Sequence, residues 1–248
     1  MQLNPPSKKA KKALIGIYGP PGVGKSTLAS TAINPVFIDV EDAIHQIKVA
    51  KTDLVKSSQD LKDAIAICAK SDHKTIVLDT LDSFEDILIK EICTEHGWQS
   101  LADGGYGKGY ATLKQRWLEF FPYIQKCIKE YDKTFILVGH DTLKRIDDPL
   151  NESYDRVVLK LNHHVAGLFF QYCDCFFYMR LDETVTSNND GVKKVVSDGS
   201  RVLLTSPNPQ YMAKNRYDLP KTIRIGEKSS KIMEYIQTKI SKSGENEE

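Results

Sequence analysis

The sequence contains no long apolar run and no obvious targeting segment. Across its 248 residues, no apolar stretch approaches the roughly 18 residues that a membrane-spanning helix needs. Residues 1–12 are polar, basic through lysine alone and interrupted by two prolines, which fits neither a signal peptide nor an Arg-rich mitochondrial presequence. We therefore expect a cytoplasmic protein without a membrane partner.

Paired cysteines and a strong net charge are also missing. The five cysteines include no C-x₂-C pair of the kind that holds zinc. Cys173 and Cys175 lie within an apolar run, so we expect buried thiols in a reducing compartment. The net charge of +1 is too small to attract nucleic acid to the molecule as a whole, so any such binding depends on a local basic surface.

What the chain does contain is a regular alternation of apolar and amphipathic segments. Most of the apolar segments are near-continuous, as in strands that are covered on both faces. The predicted strands are Ala13–Tyr18, Pro35–Val40, Lys74–Asp79, Thr134–Gly139 and Cys175–Leu181. The predicted helices are Ser26–Ile33, Ser58–Ala69, Ser83–His96, Ala111–Tyr131 and Leu161–Tyr172. This order predicts an α/β fold with a mostly parallel sheet and helices on both faces.

The C-terminal third changes character. Val192–Ser197 and Ser200–Thr205 flank Asp198-Gly199, which is a strong hairpin signal, and a polar loop is predicted over Glu183–Gly191. Lys228–Ser241 is predicted as a last helix. We therefore expect one domain over residues 13–241 with an antiparallel β-hairpin appendage at about 182–226, a flexible arm over 1–12 and a polar tail over 242–248.

A phosphate-binding loop is the most specific motif. The segment Gly19–Thr27 fits G-x-x-x-x-G-K-[ST], follows an apolar strand and opens a helix. Glycines let backbone N–H groups converge on phosphate, and the following helix adds its N-terminal amides. We expect Lys25 to bridge the β- and γ-phosphates of ATP and the Ser26 hydroxyl to bind Mg²⁺. The predicted nucleotide-binding residues are Gly19, Pro20, Pro21, Gly22, Val23, Gly24, Lys25, Ser26 and Thr27.

A second acidic element is expected on the metal side. Thr75–Asp79 is an apolar strand that ends in Asp, the Walker B pattern, and Asp79 is the predicted second ligand of Mg²⁺. Asp82 lies nearby, where it would otherwise serve as the N-cap of the helix that begins at Ser83.

The general base has to come from elsewhere, because Asp79 is followed by Thr80 rather than by Glu. The strand before it ends in Asp39 and Glu41, at the edge expected to face the phosphates. A Glu there could orient and deprotonate the attacking water. The alternative is two solvated acids at the end of a strand.

In these features the sequence resembles the RecA-like recombinase ATPases. The resemblance implies that Glu41 is the catalytic base, that Asp39 supports it, and that His140, at the end of the strand Phe135–Gly139, senses the γ-phosphate. The alternative for His140 is a residue satisfied by local hydrogen bonds.

More narrowly, the chain looks like the small RecA-like ATPases that bacteriophages encode beside single-strand annealing and recombination functions. The features that carry this resemblance are Gly19–Thr27, Phe37–Glu41, Val77–Asp82, Gly105–Tyr110, Val138–His140 and Lys214–Arg216. It implies a homo-oligomer in a bacterial host that acts with single-stranded DNA and with a single-strand-binding or annealing protein.

Two long irregular segments are predicted at the places where RecA-like proteins bind DNA. Between Trp98 and Tyr110, four glycines accompany Tyr106, Lys108 and Tyr110, which could approach phosphates and stack on bases. The alternative is a mobile connection between helices. The second segment, Asp141–Lys160, carries both signs of charge, so its composition does not favour DNA.

Lys214 and Arg216 follow the predicted appendage. A neighbouring subunit of a ring-forming ATPase can insert such a basic residue to stabilise transition-state charge. Contact with nucleic acid and a plain surface pair are the alternatives.

Taken together, the sequence predicts an Mg²⁺-dependent ATPase that binds single-stranded DNA in recombination, annealing or repair. A ring-type motor or loader and a nucleotide-dependent interaction switch remain alternatives, as does a nucleoside or nucleotide kinase.

Overall fold

The fold is organised around a ten-stranded sheet. The computed structural model describes residues 12–149, 152–187, 193–226 and 231–243. The strands are β1 Leu14–Gly19, β2 Pro35–Asp39, β3 Ala50–Lys51, β4 Thr75–Asp79, β5 Thr134–Ile146, β6 Tyr154–Leu159, β7 Cys175–Ser187, β8 Lys193–Leu204, β9 Lys214–Asn215 and β10 Thr222–Ile225. The helices are α1 Lys25–Ser30, α2 Ser58–Lys70, α3 Leu81–His96, α4 Lys108–Lys129, α5 His163–Tyr172 and α6 Ile232–Lys242. All five predicted strands are present, and the mostly parallel α/β architecture is confirmed.

The strand order brings the predicted site residues to one edge of the sheet. The main order is β10-β8-β7-β1-β5-β4-β2-β3, in which neighbours from β7 to β3 are parallel. Because parallel strands end at the same edge, the phosphate-binding loop after β1 lies at the edge where β5, β4 and β2 also end. In register, Gly19 pairs with His140, and Asp39 pairs with Asp79.

Apolar cores on both faces explain why the parallel strands are continuously hydrophobic. On β1, Leu14 and Tyr18 contribute to the core beneath α2, α3, α4 and α5, whereas Ile15 and Ile17 contribute to the core beneath α1 and α6. The burial of apolar side chains on both faces is the main force that holds the central strands in place.

The predicted hairpin at Asp198-Gly199 is wrong. Strand β8 runs from Lys193 to Leu204 through this pair, opposite a β7 that continues to Ser187. The register shifts between Leu181 and Glu183 of β7, so the turn-forming pair is accommodated as a bulge, with Gly199 at a φ of 80°. The polar loop predicted from Glu183 is therefore strand up to Ser187. Residues 188–192 lie outside the described part of the chain. Strands β8 and β10 extend the main sheet and do not form a separate appendage.

The prediction of an irregular segment over Asp141–Lys160 is also wrong. Strand β5 continues to Ile146 and pairs antiparallel with β6, from Asp141 opposite Leu159 to Ile146 opposite Tyr154. The ladder satisfies the backbone groups that a loop would leave to water.

The predictions for the two ends fall largely outside the described residues. Of the arm predicted over 1–12, only residue 12 is described, and the part of the tail after residue 243 is not. Lys242 closes α6, so the helix extends one residue beyond its predicted end.

Candidate functional site

The loop between β1 and α1 is shaped by its glycines. Gly22 and Gly24 have φ angles of 74° and 95°, which side chains with a Cβ rarely adopt. A Cβ on Gly19 would lie 2.1 Å from the carbonyl oxygen of Met179 on β7. The loop therefore requires glycine both for its turn and for its close approach to the neighbouring strand.

Lys25 is buried at the start of α1, with only 5% of its surface exposed. Its Nζ donates hydrogen bonds to the carbonyl oxygens of Gly19 and Pro20, both at 2.9 Å. Burial lowers the pKa of Lys25, while the negative charges around it, of which Asp79 is the strongest, act in the opposite direction. The ammonium thus lies at the mouth of the loop, close to several acidic groups.

Asp79 is the most unusual polar group at this edge. It is 5% exposed and lies close to the Ser26 side chain, which acts to lower its pKa, yet its Oδ1 has no hydrogen-bond partner among the described residues. Burial raises the pKa of Asp79 to about 6, with the charge of Glu41 adding to the shift and the Ser26 side chain opposing it. A buried carboxylate oxygen without a partner is costly unless a ligand satisfies it. The Ser26 hydroxyl and the Asp79 carboxylate are the oxygen donors that Mg²⁺ prefers, so the residues fit the predicted metal.

Asp39 holds the turn that follows β2. It is 1% exposed, accepts from the Lys51 Nζ at 2.8 Å, and accepts from the backbone N–H of Asp42 at 2.9 Å. Both carboxylate oxygens are therefore occupied within the chain. Asp39 therefore fixes the turn over residues 39–42, which contains Glu41.

Glu41 is exposed and points towards the start of α3. Its Oε1 accepts hydrogen bonds from the Thr80 hydroxyl, at 2.5 Å, and from the Ser83 hydroxyl. Thr80 directly follows Asp79, so the Walker B strand itself orients the Glu41 carboxylate. The sequence analysis did not predict that Thr80 and Ser83 orient Glu41. Their hydroxyl groups, one and four residues after Asp79, were the only local sign of this role.

Asp82 and His140 form a tight pair. The His140 backbone N–H donates to Oδ1 of Asp82 at 3.0 Å, and Nδ1 of His140 lies 2.8 Å from Oδ2. Burial acts to raise the pKa of Asp82, but the hydrogen bonds from His140 outweigh it and lower the pKa. The alternative of Asp82 as an N-cap is wrong, because α3 begins at Leu81 and its N-cap position is Thr80.

The same pair lies close to Glu41. One potential ligand atom from each of Glu41, Asp82 and His140 lies within 4.8 Å of the others. The two residues that the sequence predicts as base and sensor are thus brought together, although 99 positions separate them along the chain.

Sequence reasoning missed Arg201 altogether. A Cβ built on Gly24 would lie 3.5 Å from the Nε of Arg201, so the guanidinium rests against the phosphate-binding loop. Nothing in the local sequence signals this, because the contact depends on the pairing of β8 with β7.

The glycine-rich segment before α4 is more ordered than predicted. A 3-10 turn covers Leu101–Gly104, and α4 already begins at Lys108, so Lys108 and Tyr110 are helical. Tyr106 is fully exposed, whereas Tyr110 is half-buried, and its ring centroid lies 5.9 Å from that of His164. Of the two predicted stacking residues, Tyr106 alone presents a free ring.

Lys214 and Arg216 lie at the opposite, amino-terminal edge of the sheet. The Lys214 Nζ donates to the carbonyl oxygens of Phe170 and Gln171, at 3.0 and 3.1 Å, in the last turn of α5. Arg216 pairs at 3.0 Å with Asp174, which precedes β7. These contacts stabilise the fold, so a trans-acting role would require the chain to release side chains that it already uses.

Comparison with known protein families gives a match over most of the chain. The sequence model of a family described as an AAA domain matches residues 11–217, which is most of the chain. Comparison with curated proteins found no match. Among the described residues, no helix is both long and apolar enough to cross a membrane.

Proposed function

Because this chain belongs to the family of AAA-type P-loop ATPases, we propose that it binds ATP with Mg²⁺ and hydrolyses it at the carboxyl edge of its sheet. The observation that carries this proposal is the Oδ1 of Asp79, a buried carboxylate oxygen without a hydrogen-bond partner in the described structure. It lies next to Ser26 and close to Lys25, at the edge where ligands of open α/β sheets bind.

The proposal assigns separate roles to the backbone amides of the loop, to Lys25, and to Ser26 with Asp79. Backbone amides of residues 22–27 surround the phosphates, and Lys25 supplies the positive charge. Ser26 and Asp79 would hold Mg²⁺, which when bound neutralises negative charge on the phosphate oxygens. The Lys25 Nζ uses two of its three N–H groups for the carbonyls of Gly19 and Pro20, which leaves one to donate to phosphate.

Glu41 acts as the general base for the attacking water. Thr80 and Ser83 both donate to its Oε1, which leaves Oε2 as the atom to accept the proton of the water. Asp39 fixes the turn before it through Lys51. The role of Asp39 is positional, because both of its oxygens are already bound.

The Asp82–His140 pair is suited to report the nucleotide state to the β5–β6 hairpin. The backbone N–H of Lys160 donates to the His140 carbonyl at 2.8 Å, and the Lys160 Nζ lies 3.8 Å from Asp82. Two residues later, the Asn162 N–H donates to the buried Glu85 of α3 at 2.5 Å. A shift of His140 would therefore displace the segment that joins β6 to α5.

Single-stranded DNA is the proposed effector, in recombination, annealing or repair. The fully exposed ring of Tyr106 and the exposed Lys108 support this proposal, because base stacking and phosphate neutralisation are the two contacts that such a strand needs. Neither a ring-type motor nor an interaction switch requires an aromatic ring held free of the core.

The test is the ATPase rate of the full chain with Mg²⁺, measured alone, with single-stranded DNA and with duplex DNA. We expect hydrolysis in wild type, stimulation by single-stranded DNA, and loss of that stimulation in Tyr106→Ala. Tyr123→Ala, which removes an exposed ring from the middle of α4, is the matched control. Hydrolysis that ignores DNA would leave the ATPase and favour the motor or switch, whereas absence of ATP binding would overturn the whole proposal.

A further inference from the structure

Arg201 lies on β8, directly beside the phosphate-binding loop. It pairs with Leu181 of β7, and Leu203, two residues along the strand, contributes to the core beneath α1. Because side chains alternate along a strand, Arg201 points to this same face of the sheet. Its Nε and Cζ lie 3.5 and 3.6 Å from the position of a Cβ on Gly24. The guanidinium therefore lies beside the residue that immediately precedes Lys25.

The Nε of Arg201 is buried and has no hydrogen-bond partner in the described ranges. Within those ranges the only other buried side-chain atom in this situation is Oδ1 of Asp79. Leaving a buried donor or acceptor unpaired costs roughly 1–3 kcal/mol, and more for a charged group. Both unpaired atoms lie beside the loop that contains Lys25: one is an acceptor suited to a cation, and the other is a donor suited to an anion.

We propose that Arg201 donates a hydrogen bond to a phosphate oxygen of the bound nucleotide. This inference rests on the proposed nucleotide site and adds to it a second cation that the same chain supplies. Arginine suits the position because its guanidinium is always charged and donates in a planar fork that matches phosphate oxygens. A Cβ at Gly24 would meet the guanidinium only at ordinary van der Waals distance, so it is the φ of 95°, and not the space beside Arg201, that favours glycine there.

Arg224 provides a matched control on the neighbouring strand. It lies on β10, its side chain is 81% exposed, and it pairs with Asp182 at 3.3 Å. Arg224→Gln therefore removes the same charge from the same sheet without touching the loop.

The test is the affinity of the full chain for ADP and for a non-hydrolysable ATP analogue with Mg²⁺, by isothermal titration calorimetry. We expect Arg201→Gln to weaken the affinity for the ATP analogue about tenfold or more, the loss associated with one charge-assisted hydrogen bond. Arg201→Lys should recover part of that affinity because it keeps the charge. Arg224→Gln should bind as wild type does. Circular dichroism establishes that each variant is folded.

The outcomes separate this inference from the proposal on which it rests. If wild type binds nucleotide and Arg201→Gln binds it equally well, Arg201 does not contact phosphate, and only this inference is overturned. If wild type binds no nucleotide, the proposed function fails and this inference fails with it. If Arg201→Gln does not fold, Arg201→Lys decides: a reduced affinity would support the contact with phosphate, because lysine lacks the planar fork, and an unchanged affinity would overturn this inference. If both variants fold and both bind the ATP analogue with wild-type affinity, the inference is wrong.

Discussion

The two edges of the central sheet differ in whether their polar side chains have hydrogen-bond partners. At the amino-terminal edge, Asp174 accepts from the Leu14 N–H and pairs with Arg216, and Lys214 caps the end of α5. At the carboxyl edge, Oδ1 of Asp79 and Nε of Arg201 are buried without partners in the described structure. In the described structure, the named polar groups are paired at the amino-terminal edge, whereas these two atoms at the carboxyl edge are not, as expected at a ligand site.

At the carboxyl edge, burial also perturbs charged groups that the proposed nucleotide site uses. At the carboxyl edge, burial lowers the pKa of Lys25 and raises that of Asp79 to about 6, so each charged form depends on its neighbours. Perturbed groups of opposite sign in one cleft are typical of functional sites. Substitutions at this edge should therefore change nucleotide chemistry, and substitutions at the other edge should change stability.

The largest expected effect is that of Lys25→Ala. Its ammonium is the main positive charge within the loop, and backbone amides do not replace it. We expect loss of both ATP binding and hydrolysis, measured by calorimetry and by phosphate release. Lys214→Ala is the control, since it removes a half-buried lysine at the amino-terminal edge and should leave the nucleotide affinity unchanged. Wild-type binding in Lys25→Ala would place the phosphate site elsewhere.

Glu41→Gln should separate binding from hydrolysis. Loss of a general base costs about 10² to 10⁴ in rate, while the amide can still accept from Thr80 and Ser83 and so keep its position. We expect kcat to fall by that factor with near-normal affinity for ATP, in single-turnover and binding measurements. Intact turnover would move the base to another residue, with Asp82 next to be tested.

A smaller effect is expected from the protonation of Asp79, which should make the affinity for Mg-ATP depend on pH. Its carboxyl must be ionised to hold Mg²⁺, so the affinity for Mg-ATP should fall as the pH drops through about 6, by about tenfold per pH unit below it. The stability of the ligand-free protein should depend on pH in the opposite direction. A raised pKa means that the folded state binds the proton more tightly than the unfolded state, so the contribution of this group to stability decreases from pH 3.8 to about 6.

Titration of Mg-ATP affinity between pH 5 and pH 8 measures the first effect. Asp79→Asn is the control, because it should bind Mg-ATP weakly at every pH. A wild-type affinity that stays constant across this range would show that Asp79 does not ligate the metal.

The sequence predicted those parts of the fold that depend on neighbours in the chain. The loop at Gly19–Thr27 is a contiguous motif between a buried strand and a helix, and both elements are present within three residues of their predicted bounds. Asp198-Gly199 was misread because a turn signal is local, whereas the length of the opposing β7 is not. The contacts of Arg201 with Gly24 and of Asp82 with His140 join distant segments, so they depend on strand order and register, which no local pattern contains. The roles of Glu41 and His140 stay predictions, as does the narrower resemblance to RecA-like recombinases.

The smallest effect on nucleotide chemistry is expected at Asp174. Asp174→Ala leaves the Leu14 N–H at the start of β1 without its acceptor and removes the partner of Arg216. We expect a loss of about 1–3 kcal/mol in the free energy of unfolding, measured with urea, because a partly buried backbone donor is left unpaired. Arg216→Gln is the matched variant: its ion pair is half-exposed, so its loss should cost less than about 1 kcal/mol. Both variants should bind and hydrolyse ATP as wild type does at every protein concentration. If Arg216→Gln instead lost activity as the protein was concentrated into oligomers, Arg216 would act on a neighbouring subunit, and the amino-terminal edge would be functional as well as structural.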